Sequence, residues 1–463
     1  MIDLTKNHPF KTILLFSIPL LIGNIFQQIY SLSDTIIVGK TLGVDALAAV
    51  GFTGSISFLI IGFAQGLTIG MSLLIAKFYG AKQYDRVKTS FAASIIISFI
   101  ASVLLMALSF TFLDDMMKWM NTPVEIEQSA KIYLSTIFAG LPFILLFNLF
   151  SNVIRALGDS KTPLFFLAIS CIANVVLALI FICIFNMGIF GAGLATFIAY
   201  IIPVIQCIYL IKKNMPMLVI NKDSFENIIL SDFSNHLKMA LPMGFQMSII
   251  GIGVIVLQTT LNSLGTDVVA AQSIANKVDQ LAIQPLNSIG IAMATFTAQN
   301  YGAKLYQRII VGVKQTLIAS ITFGIFAGLL IIFLGKIIIL GFVSPEETAV
   351  IELTQTYFLI TESGYFILAT LFVLRNTLQG LGYGITTTAA GIAELVMRSF
   401  AAIVLVQYIG FAGACLASPL AWLGSTLILI IRYKSAKSLL KDETYDIYFD
   451  INTYNSNDLV AAY

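Results

Sequence analysis

The first long apolar run of this 463-residue chain, residues 13–38, carries Asn24, Gln27, Gln28, Ser31, Asp34 and Thr35 at three- and four-residue spacing. On a helix these side chains share one face, while the other faces are Ile, Leu and Phe. A polar stripe of this kind faces protein or water. Asp34 is its most consequential member. A carboxylate inside an apolar span costs at least about 2.5–3.5 kcal/mol on insertion scales, and such groups are kept for ion or substrate pathways.

Other polar residues interrupt later apolar runs. Asn174 stands alone in one, and Thr196 follows the small residues Gly191 and Gly193, which permit close helix approach. The second half holds Lys277 and Asp279, Glu362 and Arg375, and Glu394 and Arg398. Glu394 and Arg398 are four apart on one helix face, so a local ion pair is expected. Lys277 and Asp279 are two apart, point to different faces and need partners on other helices. Gln27, Ser31, Gln246, Gln258, Asp279 and Glu362 are candidates to line a substrate cavity, in a chain with enough Phe, Tyr and Met to give that cavity adaptable apolar walls.

The elements that position these residues follow from composition. With 58% hydrophobic and 11% charged residues, a soluble globule of this size would lack the polar groups to cover it, so lipid must be the solvent. Runs of about 20 apolar residues fall at 13–38, 46–77, 89–114, 130–155, 162–185 and 189–211, then at 237–262, 268–299, 309–342, 352–380, 385–407 and 411–431. The first run has no small-residue cleavage site after it and is expected to remain as a span. Cys171, Cys183, Cys207 and Cys415 lie in apolar runs without metal spacing and read as packing residues. A net charge of +2 with no basic stripe excludes a nucleic-acid partner.

The second six runs repeat the first six at a shift of 222. Leu42-Gly43-Val44-Asp45 is echoed by Leu264-Gly265-Thr266-Asp267, and Tyr79-Gly80-Ala81-Lys82 by Tyr301-Gly302-Ala303-Lys304. Tyr84 and Arg86 match Tyr306 and Arg308, Pro123 matches Pro345, and the stretch 188–196 matches 410–418. Six spans per repeat is an even number, so both copies share one orientation and are related by an axis along the membrane normal. The expected architecture is an all-α membrane protein of twelve helices in two six-helix lobes. It divides into an N-lobe at 1–211, a connecting segment at 212–238, a C-lobe at 239–432 and a tail at 433–463. Lys and Arg on alternate sides number 19 against 4, which puts both termini in the cytoplasm by the positive-inside rule. Two lobes in one chain suffice for a translocation path, so a monomer is the default.

These residues closely resemble the multidrug and toxic compound extrusion (MATE) family over essentially the whole chain. The resemblance rests on the twelve-span duplication, Ile18-Pro19 with Ser33-Asp34-Thr35, the repeated Tyr-Gly-Ala-Lys, Arg155-Ala-Leu-Gly158-Asp159-Ser-Lys161-Thr-Pro163 and Gly191-Ala-Gly-Leu-Ala-Thr196. It implies export of amphiphilic, often cationic compounds, driven by an inward H⁺ or Na⁺ gradient and with no cofactor. It also implies a first-lobe cation site at Asp34, Asn174 and Thr196. The family's second carboxylate in the fifth helix falls here on Ala178. A lobe with one carboxylate can exchange a proton but offers fewer ligands to Na⁺, which favours H⁺ and leaves Na⁺ as the alternative ion at the same three residues.

Two other classes compete. A lipid-linked oligosaccharide flippase needs cationic residues in its central cavity, and the first-lobe spans hold none away from their ends. A membrane-embedded transferase needs catalytic groups, and the two histidines, His8 and His236, lie at span boundaries without a partner motif. A symmetric pore would call for a ring of charge rather than one off-centre carboxylate.

Overall fold

The computed structural model describes residues 2–120 and 122–460, the side chains at 55 and 444–460 excepted. Tyr445, Tyr448 and Tyr454 of the tail therefore lie outside the described side chains. The described residues hold eleven helices long and apolar enough to cross a membrane, and a bent pair supplies the twelfth. In chain order they are α1 (Pro9–Leu42), α2 (Val44–Gly80), α3 (Tyr84–Thr111), α4 (Val124–Ala139 and Leu141–Ala156, meeting at 47°), α5 (Lys161–Ile184) and α6 (Gly188–Asn214). The second set is α7 (Leu230–Asn262), α8 (Thr266–Gly302), α9 (Tyr306–Leu340), α10 (Thr348–Gly380), α11 (Gly384–Ile409) and α12 (Phe411–Glu443).

The duplication is written into the backbone. Left-handed conformations recur in pairs at Gly43 and Gly265, Lys82 and Lys304, Gly158 and Gly382, and Gly188 and Gly410. Each follows or precedes a helix end, where a left-handed residue turns the chain out of the helix. Two spans depart from the regular helices expected at 130–155 and 352–380. Alpha-helix α4 bends at Gly140, and α10 breaks in a 3₁₀ turn at Glu362–Gly364. Gly140 and Gly364 are structural mates, so by this point the repeat has slipped from 222 to 224. Both α5 and α11 carry a π-helical segment toward their C-terminal ends, Ile180–Ile184 closing α5 and Ala401–Leu405 preceding the last turn of α11. Extra residues inside a span are absorbed locally by such wide turns.

The two lobes meet along one half of their length. Gly66 and Gly70 of α2 lie against the backbone of Met243 and Ala240 on α7. Farther along, Gly80 packs on the Gln299 carbonyl of α8 and Gly302 packs on the Lys77 carbonyl of α2. No Cβ fits at either place, and this explains the glycine of the repeated Tyr-Gly-Ala-Lys. The crossing is tied by Asn24 Nδ2 donating to Ser288 Oγ at 3.1 Å, Gln299 Nε2 to the Ala156 carbonyl at 2.6 Å, and Ser90 with His236 at 2.8 Å. Arg86 pairs with Asp232 at 3.0 Å, and its repeat mate Arg308 donates to the carbonyls of Leu4, Lys6 and Asn7. Each arginine therefore grips the chain at the start of the other lobe's first helix. All these contacts lie between the membrane midplane and the face carrying the termini. Just past the middle, Ser248 Oγ of α7 donates to the Leu59 carbonyl of α2 at 3.4 Å, and among the described residues no cross-lobe hydrogen bond or ion pair lies nearer the far ends of the helices. Ile29, Leu32 and Val44 are exposed there at 53%, 56% and 78%, and the cleft opens away from the termini.

Candidate functional site

Within the first lobe, the stripe on α1 places Asp34 against the first segment of α4. Asp34 is 7% exposed, and its Oδ2 accepts a hydrogen bond from the Tyr133 hydroxyl at 2.9 Å. Its Oδ1 has no hydrogen-bond partner. On the neighbouring pair of helices, Asn174 Nδ2 of α5 donates to Thr196 Oγ1 of α6 at 3.2 Å, and Asn174 Oδ1 is likewise unpartnered. Tyr133 lies beside Thr196 as well as Asp34, so it links the two halves of the expected triad. Ala178 is fully buried one turn beyond Asn174, and a carboxylate there would have faced the same interior. Two orphaned acceptor oxygens in one buried site are what a proton or a small cation would satisfy.

Next to this site, a cavity of about 40 Å³ is lined by Gln27, Tyr30, Gln65, Asn148, Ser170 and Tyr200 among others. At roughly 10–15 Å³ per water it has room for about three or four. Gln27 thus lies where a cavity residue was expected. Ser31 is exposed.

The second lobe holds a counterpart that comes from different helices. The position of Asp34 falls in α7 on apolar residues, but Asp279 of α8 is a buried carboxylate in a similar setting. Its Oδ2 accepts from Tyr357 at 2.7 Å and its Oδ1 from Tyr365 at 2.8 Å, which are the partners on another helix that Asp279 required. Tyr133 and Tyr357 each stand seven residues before the glycine at the break in their span, Gly140 and Gly364. Each lobe therefore presents a tyrosine hydroxyl to a buried carboxylate. Glu362, 2% exposed at the α10 break, has both carboxylate oxygens unpartnered and lies within electrostatic range of Asp279. Lys277 is exposed and sits over the Phe342 ring at 5.9 Å.

Three expectations need correction or relocation. Glu394 is held by Arg375 of α10, and not by Arg398 four residues along its own helix. Spacing allowed the local pair, but Arg375 reaches Glu394 across the α10–α11 interface and also donates to Ser425 Oγ at 3.2 Å. Gln246 is 1% exposed and accepts from Gln379 Nε2 at 3.1 Å, as part of the helix packing. Gln258 bonds Asn262 on its own helix at 2.9 Å, near the far end of α7. Sequence reading missed Tyr133, Tyr357 and Tyr365. The signal that would have found the first two is their common distance to the glycine at each break.

A model of the MatE family matches residues 19–180 and again residues 242–404, once in each half. The chain belongs to the MatE family. MatE proteins are membrane transporters, not enzymes. Among relatives, the chain is 29% identical to the "Probable multidrug resistance protein YoeA" of Bacillus subtilis, over 82% of each chain. It is 24% identical to an FAD transporter of Shewanella oneidensis, over 89% of this chain and 91% of that one. A solved outward-facing MATE multidrug resistance transporter shares the fold with a TM-score of 0.87 at 22% identity, covering 95% of this MatE chain and 98% of that one.

Proposed function

We propose that this MatE protein exports amphiphilic, often cationic compounds in exchange for H⁺, with Na⁺ as the alternative ion, by alternating access of its two lobes. The observation that carries the reading is Asp34, a buried carboxylate held by Tyr133 with one oxygen free, beside Asn174 and Thr196 and a cavity that admits water. The names of relatives such as YoeA support drug-like cargo. In the proposed orientation the termini are cytoplasmic, so the open cleft faces outside. A proton entering from outside neutralises Asp34, removes its attraction for a bound cation and lets the cargo leave. Closure then carries the proton inward, where its release restores the carboxylate. Asn174 and Thr196 fix the polar wall, and Asp279 with Glu362 offers a second acidic surface. A single chain holds the whole path, so we take the transporting unit to be a monomer.

A second reading, translocation of an anionic lipid-linked substrate, is favoured by one observation, the buried Arg375 and Arg398 of the second lobe. The acidic groups Asp34, Asp279 and Glu362 oppose it. The deciding experiment is dye efflux from vesicles holding the purified protein, with pH and Na⁺ gradients imposed separately, for wild type and Asp34→Asn. Efflux that follows the pH gradient and is lost in the variant supports the proposal. Full proton-driven efflux by the variant removes Asp34 from the coupling role, and absence of efflux under either gradient brings the flippase reading forward.

A further inference from the structure

The second lobe contains a buried cation that pairs with no acid among the described residues. Glu394 is the one acid on α11, and Arg375 holds it. Arg398, one turn farther along, is 6% exposed, and its Nε and Nη1 have no hydrogen-bond partner. Among the described residues it forms no ion pair. Exchanging partners would not help, because one carboxylate serving two guanidiniums always leaves one of them over. The other acids are engaged or placed elsewhere. Asp279 accepts from two tyrosines, and Glu362 sits at the α10 break, where its backbone packs on Gly328 of α9. An isolated buried charge is strongly unfavourable unless something pairs with it. A guanidinium with free donors presents the planar fork that carboxylates and phosphates fit in a bidentate manner. The wall opposite that fork is Gly253 of α7, where a Cβ would come within 3.3 Å of Nη1. The glycine lets α7 pack directly against the guanidinium, and any larger side chain there would press on Nη1.

We propose that Arg398 is an anchor for an oxyanion, a carboxylate or a phosphate, carried by the transported amphiphile. This rests on the export reading and refines it. The first lobe attracts positive charge at Asp34, and the second supplies a complementary cationic point, so cargo bearing both a cationic or aromatic body and an oxyanion is held from both sides.

The test is equilibrium binding to the purified full-length protein in detergent, read by ligand fluorescence, with two matched pairs of probes. Rhodamine 6G and its free acid differ in one carboxylate, and riboflavin and flavin mononucleotide differ in one phosphate. In at least one pair the anionic member should bind Arg398→Gln about tenfold or more weakly than wild type, while its uncharged-group partner changes by less than about twofold. The pair that responds identifies carboxylate or phosphate. Arg398→Lys, which keeps the charge and loses the fork, should fall between the two and covers the case in which Arg398→Gln does not fold. Equal losses for both members of each pair, or no loss in either pair, overturn the assignment. Efflux of rhodamine 6G from vesicles, measured in parallel, separates the two readings. Binding that depends on Arg398 without any efflux upholds the anchor and sinks export, whereas efflux with no Arg398 effect on binding sinks the anchor alone.

Discussion

Gly80→Ala should move the protein out of the state described here. A Cβ at Gly80 would overlap the carbonyl of Gln299 and approach two further backbone atoms of that residue. Backbone cannot rotate aside as a side chain can, so α2 and α8 must separate. Overpacking of this kind costs about 1–3 kcal/mol. The gain in helix propensity from Gly to Ala arises in every state in which α2 is helical and therefore cancels between conformations. The cost falls only where the two helix ends touch, and the ratio of cleft-open to cleft-closed molecules should drop roughly 5- to 140-fold. Spin labels at Asp85 and Gln307, exposed repeat mates beside the crossing, would report the change as a longer distance by pulsed electron resonance. Gly302→Ala should act in the same direction, because its Cβ would meet the Lys77 carbonyl. Gly54→Ala on α2, with nothing within 4 Å of the added carbon, should leave the distance unchanged. If Gly80→Ala and Gly54→Ala gave the same distance distribution as wild type, the crossing would not be a determinant of the open state.

Tyr133→Phe removes the hydroxyl that serves Asp34 at 2.9 Å. A hydrogen bond to a charged group is worth about 1.5–3 kcal/mol, so gradient-driven dye efflux should fall by roughly tenfold or more, while Tyr200→Phe on the cavity wall should cost less. Arg375→Met frees Glu394 for Arg398 four residues along, so it should destabilise the protein by less than the about 3–5 kcal/mol of an orphaned buried charge, seen as a modest drop in melting temperature. Glu394→Leu, which leaves both guanidiniums buried without a carboxylate, should cost the full amount. Arg86→Ala breaks a partly exposed pair with Asp232, in which Arg86 is 42% exposed. It should change stability by no more than about 1 kcal/mol. Accessibility of a cysteine placed at Ser90 should still rise as the termini-side contact loosens, and restoration by the swapped pair Arg86→Asp with Asp232→Arg would confirm the cause.

Much of this architecture follows from residue order alone. Apolar runs of membrane length, an even number of spans per copy and the recurrence of Gly43, Lys82 and Gly188 at 222 residues fix twelve helices, two lobes and their common orientation, because each is a local property of the chain. The stripe on α1 likewise fixes which face Asp34 shares with Gln27 and Ser31. Partners across helices are another matter. Helical spacing offered Arg398 to Glu394, but the packing of α10 against α11 delivered Arg375. The repeat offered no mate for Asp34, yet a two-residue slip and breaks at Gly140 and Gly364 brought Tyr133 and Tyr357 to carboxylates on α1 and α8, two helices that do not correspond in the duplication. Periodicity within a helix sets the direction of a side chain, while the group it meets depends on the rotation, depth and bending of its neighbours, and those are set by the packing of the whole lobe.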